Sequence, residues 1–100
     1  MVRFDFESDA RFRASLSDLG EDTAVEVVNC LDRITQRGLA WGEFVRIHGW
    51  IHVNLVGEQT YPGAVELHRF YVSSPSGNRY EVIGYTFQQV VVICAIALRK

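Results

Sequence analysis

The sequence predicts an α+β domain in which an N-terminal strand and a two-helix hairpin pack on one face of a mainly antiparallel sheet. Three observations lead there. Up to Gly38 the apolar residues recur at helical spacings of three and four. After Gly38 the period changes to strand-like alternation and stays so to the end. The chain has 100 residues, 48% of them hydrophobic, which is enough for one core and leaves no room for a second domain. Helices followed by a run of strands place the helices on one sheet face and leave the other open to a ligand or partner.

The opening Val2–Phe6 reads as a short strand with Val2, Phe4 and Phe6 on one side. Ser8 or Asp9 is placed to cap the first helix, whose stripe is Phe12, Leu16 and Leu19, with Gly20 as its stop. The second helix begins at a capping box, Thr23-Ala-Val-Glu26, and buries Ala24, Val27, Val28, Leu31 and Ile34. Glu21 and Asp22 suit its positive end, Arg33 and Arg37 its negative end, and Gly38 stops it.

Glu43–Ile47 fits a strand. Trp50–Val56 alternates, with Ile51, Val53 and Leu55 toward the core and His52 and Asn54 outward. Glu58–Gly63 is a loop, Ala64–Val72 a strand, and Ser73–Asn78 a turn built on Pro75 and Gly77. Tyr80–Phe87 and Val90–Leu98 form a hairpin around Gln88-Gln89, a pair without the usual glycine or asparagine. The last strand is apolar on both faces, as a central strand is.

The net charge is −2, which excludes a strongly basic nucleic-acid binder. The sum hides an asymmetry. Residues 1–43 hold nine acids and five arginines, while residues 44–100 hold three acids, five basic residues and all three histidines. Val90–Leu98 is about half the length of a membrane span, and Asp5, Glu7 and Asp9 stand where a secretory signal would be basic and then apolar. The expected location is therefore the cytoplasm. Cys30 and Cys94 read as small buried residues, with no requirement for a disulfide.

Several stretches together resemble the RelE/HigB/ParE superfamily of bacterial toxins. They are Phe4-Asp-Phe-Glu-Ser-Asp-Ala-Arg-Phe12 with Leu16 and Leu19-Gly20, then Val27-Val-Asn-Cys-Leu-Asp-Arg-Ile34 with Gly38. The third is Tyr80-Glu-Val-Ile-Gly-Tyr85 followed by Val90–Lys100, similar to the family's closing hairpin with its basic pair. Val65-Glu-Leu67 is similar to the Glu-Leu-Arg strand of the HigB branch. The resemblance implies a single RelE-like domain over residues 1–100, the toxin component of a bacterial or phage toxin–antitoxin module. It implies inhibition of translation by metal-independent mRNA cleavage, with the ribose 2′-OH attacking its own phosphate and no cofactor. The implied partners are a cognate antitoxin and the ribosome with its mRNA, without a membrane and with a homodimer admitted. The alternative is a non-catalytic binder on the same fold, such as a ParE-like inhibitor of DNA gyrase.

Such chemistry needs histidine or basic groups converging on one face. The candidates are His68, Arg69 and Arg79 as catalytic residues, with His52, Arg99 and Lys100 holding the substrate. Alternation suggests that His52, Asn54, Glu66, His68 and Phe70 share the face away from the helices. The plainer reading of the same residues is a polar sheet face with surface arginines. The family's Tyr-Arg at the start of the penultimate strand stands here as Arg79-Tyr80-Glu81, and a carboxylate near a scissile phosphate repels it. Trp41, Trp50, Tyr61, Phe70 and Tyr71 suit either base stacking or a core. His48 and His52 are four apart, but Gly49 and the strand-like pattern around them speak against the helix that would align them for a metal.

Overall fold

The structure is a computed structural model and describes residues 1–53 and 66–99. Its order is β1 (Phe4–Asp5), α1 (Ala10–Leu19), α2 (Glu21–Gln36), α3 (Trp41–His48), β2 (Ile51–His52), β3 (His68–Ser73), β4 (Arg79–Phe87) and β5 (Val90–Arg99). The five strands form one sheet in the order β1-β5-β4-β3-β2. β1 runs parallel to β5, and the other neighbours are antiparallel. The α+β class is as expected, with β5 inside the sheet between β1 and β4.

Asp9 caps α1, accepting the Arg11 backbone N–H at 3.0 Å. Its carboxylate also holds the Arg11 guanidinium and accepts from the Cys94 thiol at 3.5 Å. These donors, Arg11 foremost, keep the Asp9 carboxyl below the usual carboxylate range. Gly20, at φ 91°, closes α1 and also opens α2, so one residue makes the whole turn between them. The capping box at Thr23 does not form. α2 starts at Glu21, which puts Thr23 inside the first turn and leaves the N-terminus without a side-chain cap. Glu21 and Asp22 then lie in that turn, where their charge suits the helix dipole.

The second correction is Glu43–Ile47, which is not a strand but part of α3. Ala40 precedes this third helix and donates its backbone N–H to Glu43 Oε1 at 3.4 Å, while Gly49, at φ 86°, ends it. Phe44 gives the reason for the helix. It is fully buried, packed edge-on to Phe4, Trp50 and Phe70.

The third correction concerns Ile51, which is 46% exposed rather than in the core. β2 pairs only with β3 at the edge of the sheet, so an apolar residue there has no layer to enter. Expectations for Asn54, Leu55, Val56, the loop Glu58–Gly63 and the start of the next strand lie outside the described residues.

The core sits between the helices and one face of the sheet. Phe70 and Val72 of β3, Tyr80 and Val82 of β4, and Val91, Ile93 and Ile96 of β5 meet Phe12, Val27, Leu31, Ile34 and Phe44. Tyr80 is buried to its hydroxyl, which donates to Glu26 Oε1 at 2.7 Å. Glu26 also accepts from Ser76 at 2.9 Å and Asn78 at 3.2 Å, tying α2 to the β3–β4 turn. Ser74 foremost, with Tyr80, Ser76 and Asn78, holds the Glu26 carboxyl down at about 2. The β4–β5 register slips between Ile83 and Gly84, where Ile83 faces Ala95 and Gly84 faces Ile93. A Cβ on Gly84 would lie 2.5 Å from the Val92 carbonyl oxygen, so only glycine fits there without movement. Gln88 and Gln89 take φ 51° and 68°, the backbone that a two-residue turn between twisted strands requires.

Candidate functional site

Alternation along β3 fixes which side chains reach the face away from the helices. Phe70 and Val72 are buried in the core, so Arg69, Tyr71 and Ser73 point the other way. On β4 the same argument from Tyr80 and Val82 places Arg79 and Glu81 on that outer face. On β5, Ile96 and Leu98 face the core, and Ala97 and Arg99 face out. The register then sets the neighbours. Tyr71 lies opposite Glu81, Glu81 opposite Ala97, and Arg79 opposite Arg99. Arg69 and Arg99 stand diagonal to Glu81, within reach of long side chains.

Arg69, Tyr71 and Arg99 meet at the Glu81 carboxylate, and Arg79 joins them through Tyr71. Arg99 Nη2 donates to both Glu81 oxygens, at 3.0 and 3.1 Å. The Tyr71 hydroxyl donates to Glu81 Oε2 at 3.2 Å, and Arg69 Nη1 lies 3.9 Å from the same oxygen. The Arg79 guanidinium lies 4.2 Å above the Tyr71 ring. The small Ala97 side chain opposite Glu81 leaves Arg99 room to reach across. Glu81 is only 7% exposed, whereas the Arg69 and Arg99 side chains are 40% and 55% exposed. The carboxylate is thus buried beneath a partly solvated layer of guanidiniums.

Three guanidiniums and one carboxylate share this face, a surplus of two positive charges. Arg79 and Arg99 are direct cross-strand partners, an arrangement of like charges that costs stability and is relieved here through Glu81 and Tyr71. Arg69 Nε is buried and has no hydrogen-bond partner among the described residues. These features give the face a preference for an anion, with a hydroxyl and a carboxylate between the cations.

The expected trio of His68, Arg69 and Arg79 divides between the two faces. Arg69 and Arg79 belong to the cluster. His68 shares the face of Phe70 and stacks on Trp50, with ring centres 4.8 Å apart and planes at 4°. His52 is opposite His68 in the register and meets it edge-on at 5.4 Å, so it lies on the helix side and not with the arginines. The expected face containing His52, His68 and Phe70 is therefore the helix-bearing one, and Phe70 is in the core. Arg99, expected to hold substrate, lies with Arg69 and Arg79 on the outer face, while Lys100 and Asn54 lie outside the described residues. The sequence offers Tyr71 only as a stacking or core aromatic and Glu81 only as a carboxylate that repels phosphate, so their place at the centre of the cluster is new. The signal for them was the i, i+2 spacing from Arg69 to Tyr71 and from Arg79 to Glu81, with apolar residues between.

Glu81 also changes meaning. In sequence it stands as a carboxylate that would repel phosphate. In the fold its charge is compensated by Arg99 and Arg69, so the net field at the face remains positive. Trp41, Trp50 and Phe70 join the aromatic core with Phe44, while Tyr71 faces away from it and Tyr61 lies outside the described residues. Cys30 and Cys94 are both buried, the first against the Ser73 carbonyl and the second against Asp9. Among the described residues no three His, Cys, Asp or Glu side chains gather as a metal site, and no helix is long and apolar enough to cross a membrane.

Compared with known proteins, the chain matches no family model, no curated protein and no solved structure.

Proposed function

We propose that the chain is a RelE/HigB-like toxin of a toxin–antitoxin module and that it arrests translation by cutting mRNA at the outer sheet face. The observation that carries this reading is the convergence of Arg69, Arg79 and Arg99 on Tyr71 and Glu81. The order of strand, helices and a closing run of antiparallel strands is compatible with the fold part, with α3 as an addition to the expected two-helix hairpin. In the proposed reaction, the 2′-oxygen bonds to the adjacent phosphorus as its proton passes to Glu81. The bond to the 5′-oxygen breaks, and that oxygen takes a proton from solvent or Tyr71. The products are a 2′,3′-cyclic phosphate and a 5′-hydroxyl. The guanidiniums hold the phosphate and stabilise the extra negative charge of the transition state. A cognate antitoxin with acidic side chains would neutralise the same face.

The second reading is a non-catalytic binder on this fold, with gyrase among its targets. It is favoured by one feature, that Glu81 is already hydrogen-bonded by Arg99 and Tyr71. A satisfied network of that kind suits a docking surface. Expression in bacteria followed by mapping of mRNA ends separates the two. Ribosome-dependent cleavage that disappears in Arg69→Ala and Arg79→Ala supports the toxin reading. Intact mRNA in arrested cells refutes it, and DNA damage with unaffected translation indicates the binder.

A further inference from the structure

A second set of cations lies on the opposite side of β3. The C-terminal half of α2, the end of α3 and the β3–β4 turn border an open cavity of about 370 Å³ lined by Cys30, Arg33, Arg37, His48, Ser73 and Ser74 among others. That volume is in the range of small-ligand sites, roughly 300–1,000 Å³. We propose that this cavity binds a phosphomonoester. The site is separate from the arginine cluster on the outer face, and its occupancy does not depend on RNA cleavage.

Arg33 and Arg37 are one helical turn apart and reach the same cavity. Neither forms an ion pair among the described residues. Arg33 is positioned by its neighbours. Its Nη2 donates to Cys30 Sγ at 3.6 Å, and that thiol donates to the Ser73 carbonyl at 3.8 Å. The acid nearest along this helix face, Glu26, is one turn before Cys30 and is engaged by Tyr80, Ser76 and Asn78.

His48 determines the kind of anion. Its Nδ1 lies 2.9 Å from the Tyr71 carbonyl oxygen. A carbonyl can only accept, so Nδ1 carries the proton and Nε2 of the neutral ring is a bare acceptor. That Nε2 is buried and has no hydrogen-bond partner among the described residues. Burial, with a smaller contribution from the Arg37 charge, outweighs the Tyr71 contact and pushes the His48 pKa down, which keeps the free ring neutral. A ligand completing the site must therefore offer acceptors to two guanidiniums and a proton donor to Nε2. A hydrogen phosphate monoester does both, because its second ionisation lies near pH 6 and its protonated form persists toward neutrality. Carboxylate and sulfate are fully ionised there and bring no donor.

The test uses the full chain labelled with 15N at histidine. Inorganic phosphate, glycerol phosphate and sulfate are titrated separately at neutral pH, and the His48 Nε2 resonance is followed. The expected result is a saturable shift with both phosphates, with inorganic phosphate the tighter at this pH because it still carries a proton while most of the monoester does not. Sulfate should bind about tenfold more weakly. Arg33→Gln and Arg37→Gln should each weaken phosphate about tenfold, while amide spectra show the fold retained and Arg69→Gln leaves the shift unchanged. No saturable shift, an equal response to sulfate, binding of free phosphate alone, or unchanged affinity in both arginine variants would overturn the proposal.

Discussion

Glu81→Gln separates stability from chemistry at the outer face. Glutamine keeps the shape of the side chain and removes its charge. The carboxylate holds two contacts from Arg99 at 3.0 and 3.1 Å, one from Tyr71 at 3.2 Å and a looser pairing with Arg69 at 3.9 Å. Hydrogen bonds to charged groups contribute about 1.5–3 kcal/mol when shielded from water. Arg99 and Arg69 are 55% and 40% exposed, so solvent screening brings the pairing to the lower end. Glutamine still accepts from Arg99, and the Tyr71 hydroxyl can turn to accept from the new amide. The net loss is about 1 kcal/mol, or a fall of ~4–8 °C in Tm for a domain of this size. The effect on cleavage should be far larger. Loss of a proton acceptor lowers kcat by about 10²–10⁴. RNA binding should hold or tighten, because the local surplus rises from two positive charges to three. Urea denaturation, RNA affinity at fixed salt and single-turnover cleavage measure the three quantities independently. An unchanged kcat would refute Glu81 as the proton acceptor, and a stability loss above about 3 kcal/mol would refute the screened-pair reasoning.

Gly84→Ala should destabilise by about 1–3 kcal/mol in urea, because the new Cβ meets the Val92 carbonyl oxygen of the neighbouring strand at 2.5 Å. A neutral or stabilised variant would show that the strand pair yields freely there. Arg79→Ala should change stability by less than about 0.5 kcal/mol, since Arg79 is exposed, while reducing RNA affinity and the steepness of its salt dependence. An unchanged salt slope counts against phosphate contact. Glu26 is held at about 2 in the folded chain, below the 4.5 of a free glutamate, so it favours the folded state above pH 4.5 and loses that contribution as pH falls toward 2. Thermal melts across this window should decline less steeply in Glu26→Gln than in the wild type, and parallel curves would argue against the Ser74, Ser76 and Tyr80 contacts as the cause.

Local rules were readable wherever neighbouring residues decided the outcome. Phe12, Leu16 and Leu19 make the stripe of α1, Gly20 and Gly38 stop the two long helices, and Pro75 with Gly77 turns β3 into β4. Thr23 was misleading because the Thr-x-x-Glu spacing fits a cap, yet Gly20 turns the chain early enough for α2 to begin at Glu21. Trp41, Phe44, Val45 and His48 carry the helical spacing of i, i+3, i+4 and i+7, but eight residues are too few for that spacing to decide against a strand. The segment becomes helical where Phe44 fills the space between Phe4, Trp50 and Phe70, contacts formed between distant parts of the chain. The error in the site was one of phase. His68 and Arg69 are adjacent, and one step along a strand reverses the face. Placing Phe70 outside carried His68 with it, whereas burial of Phe70 sends His68 to Trp50 and Arg69 to Glu81.

The sequence by itself determined the α+β class, the two long helices, the hairpin of β4 and β5, and the supply of arginine in the second half. These follow from periodicity, glycine placement and composition, which act over a few residues at a time. Only the tertiary structure decided which arginines meet. Arg69, Arg79 and Arg99 come from three strands, and Arg69 and Arg99 reach Glu81 while Arg79 reaches Tyr71 because the sheet register sets Tyr71 opposite Glu81 and Arg79 opposite Arg99. The same holds for His48, whose partners are a carbonyl of β3 and a cavity edge on α2. The physical reason is common to both. Side-chain chemistry is written residue by residue, but the field at a site is a sum over groups that only folding brings within a few ångströms.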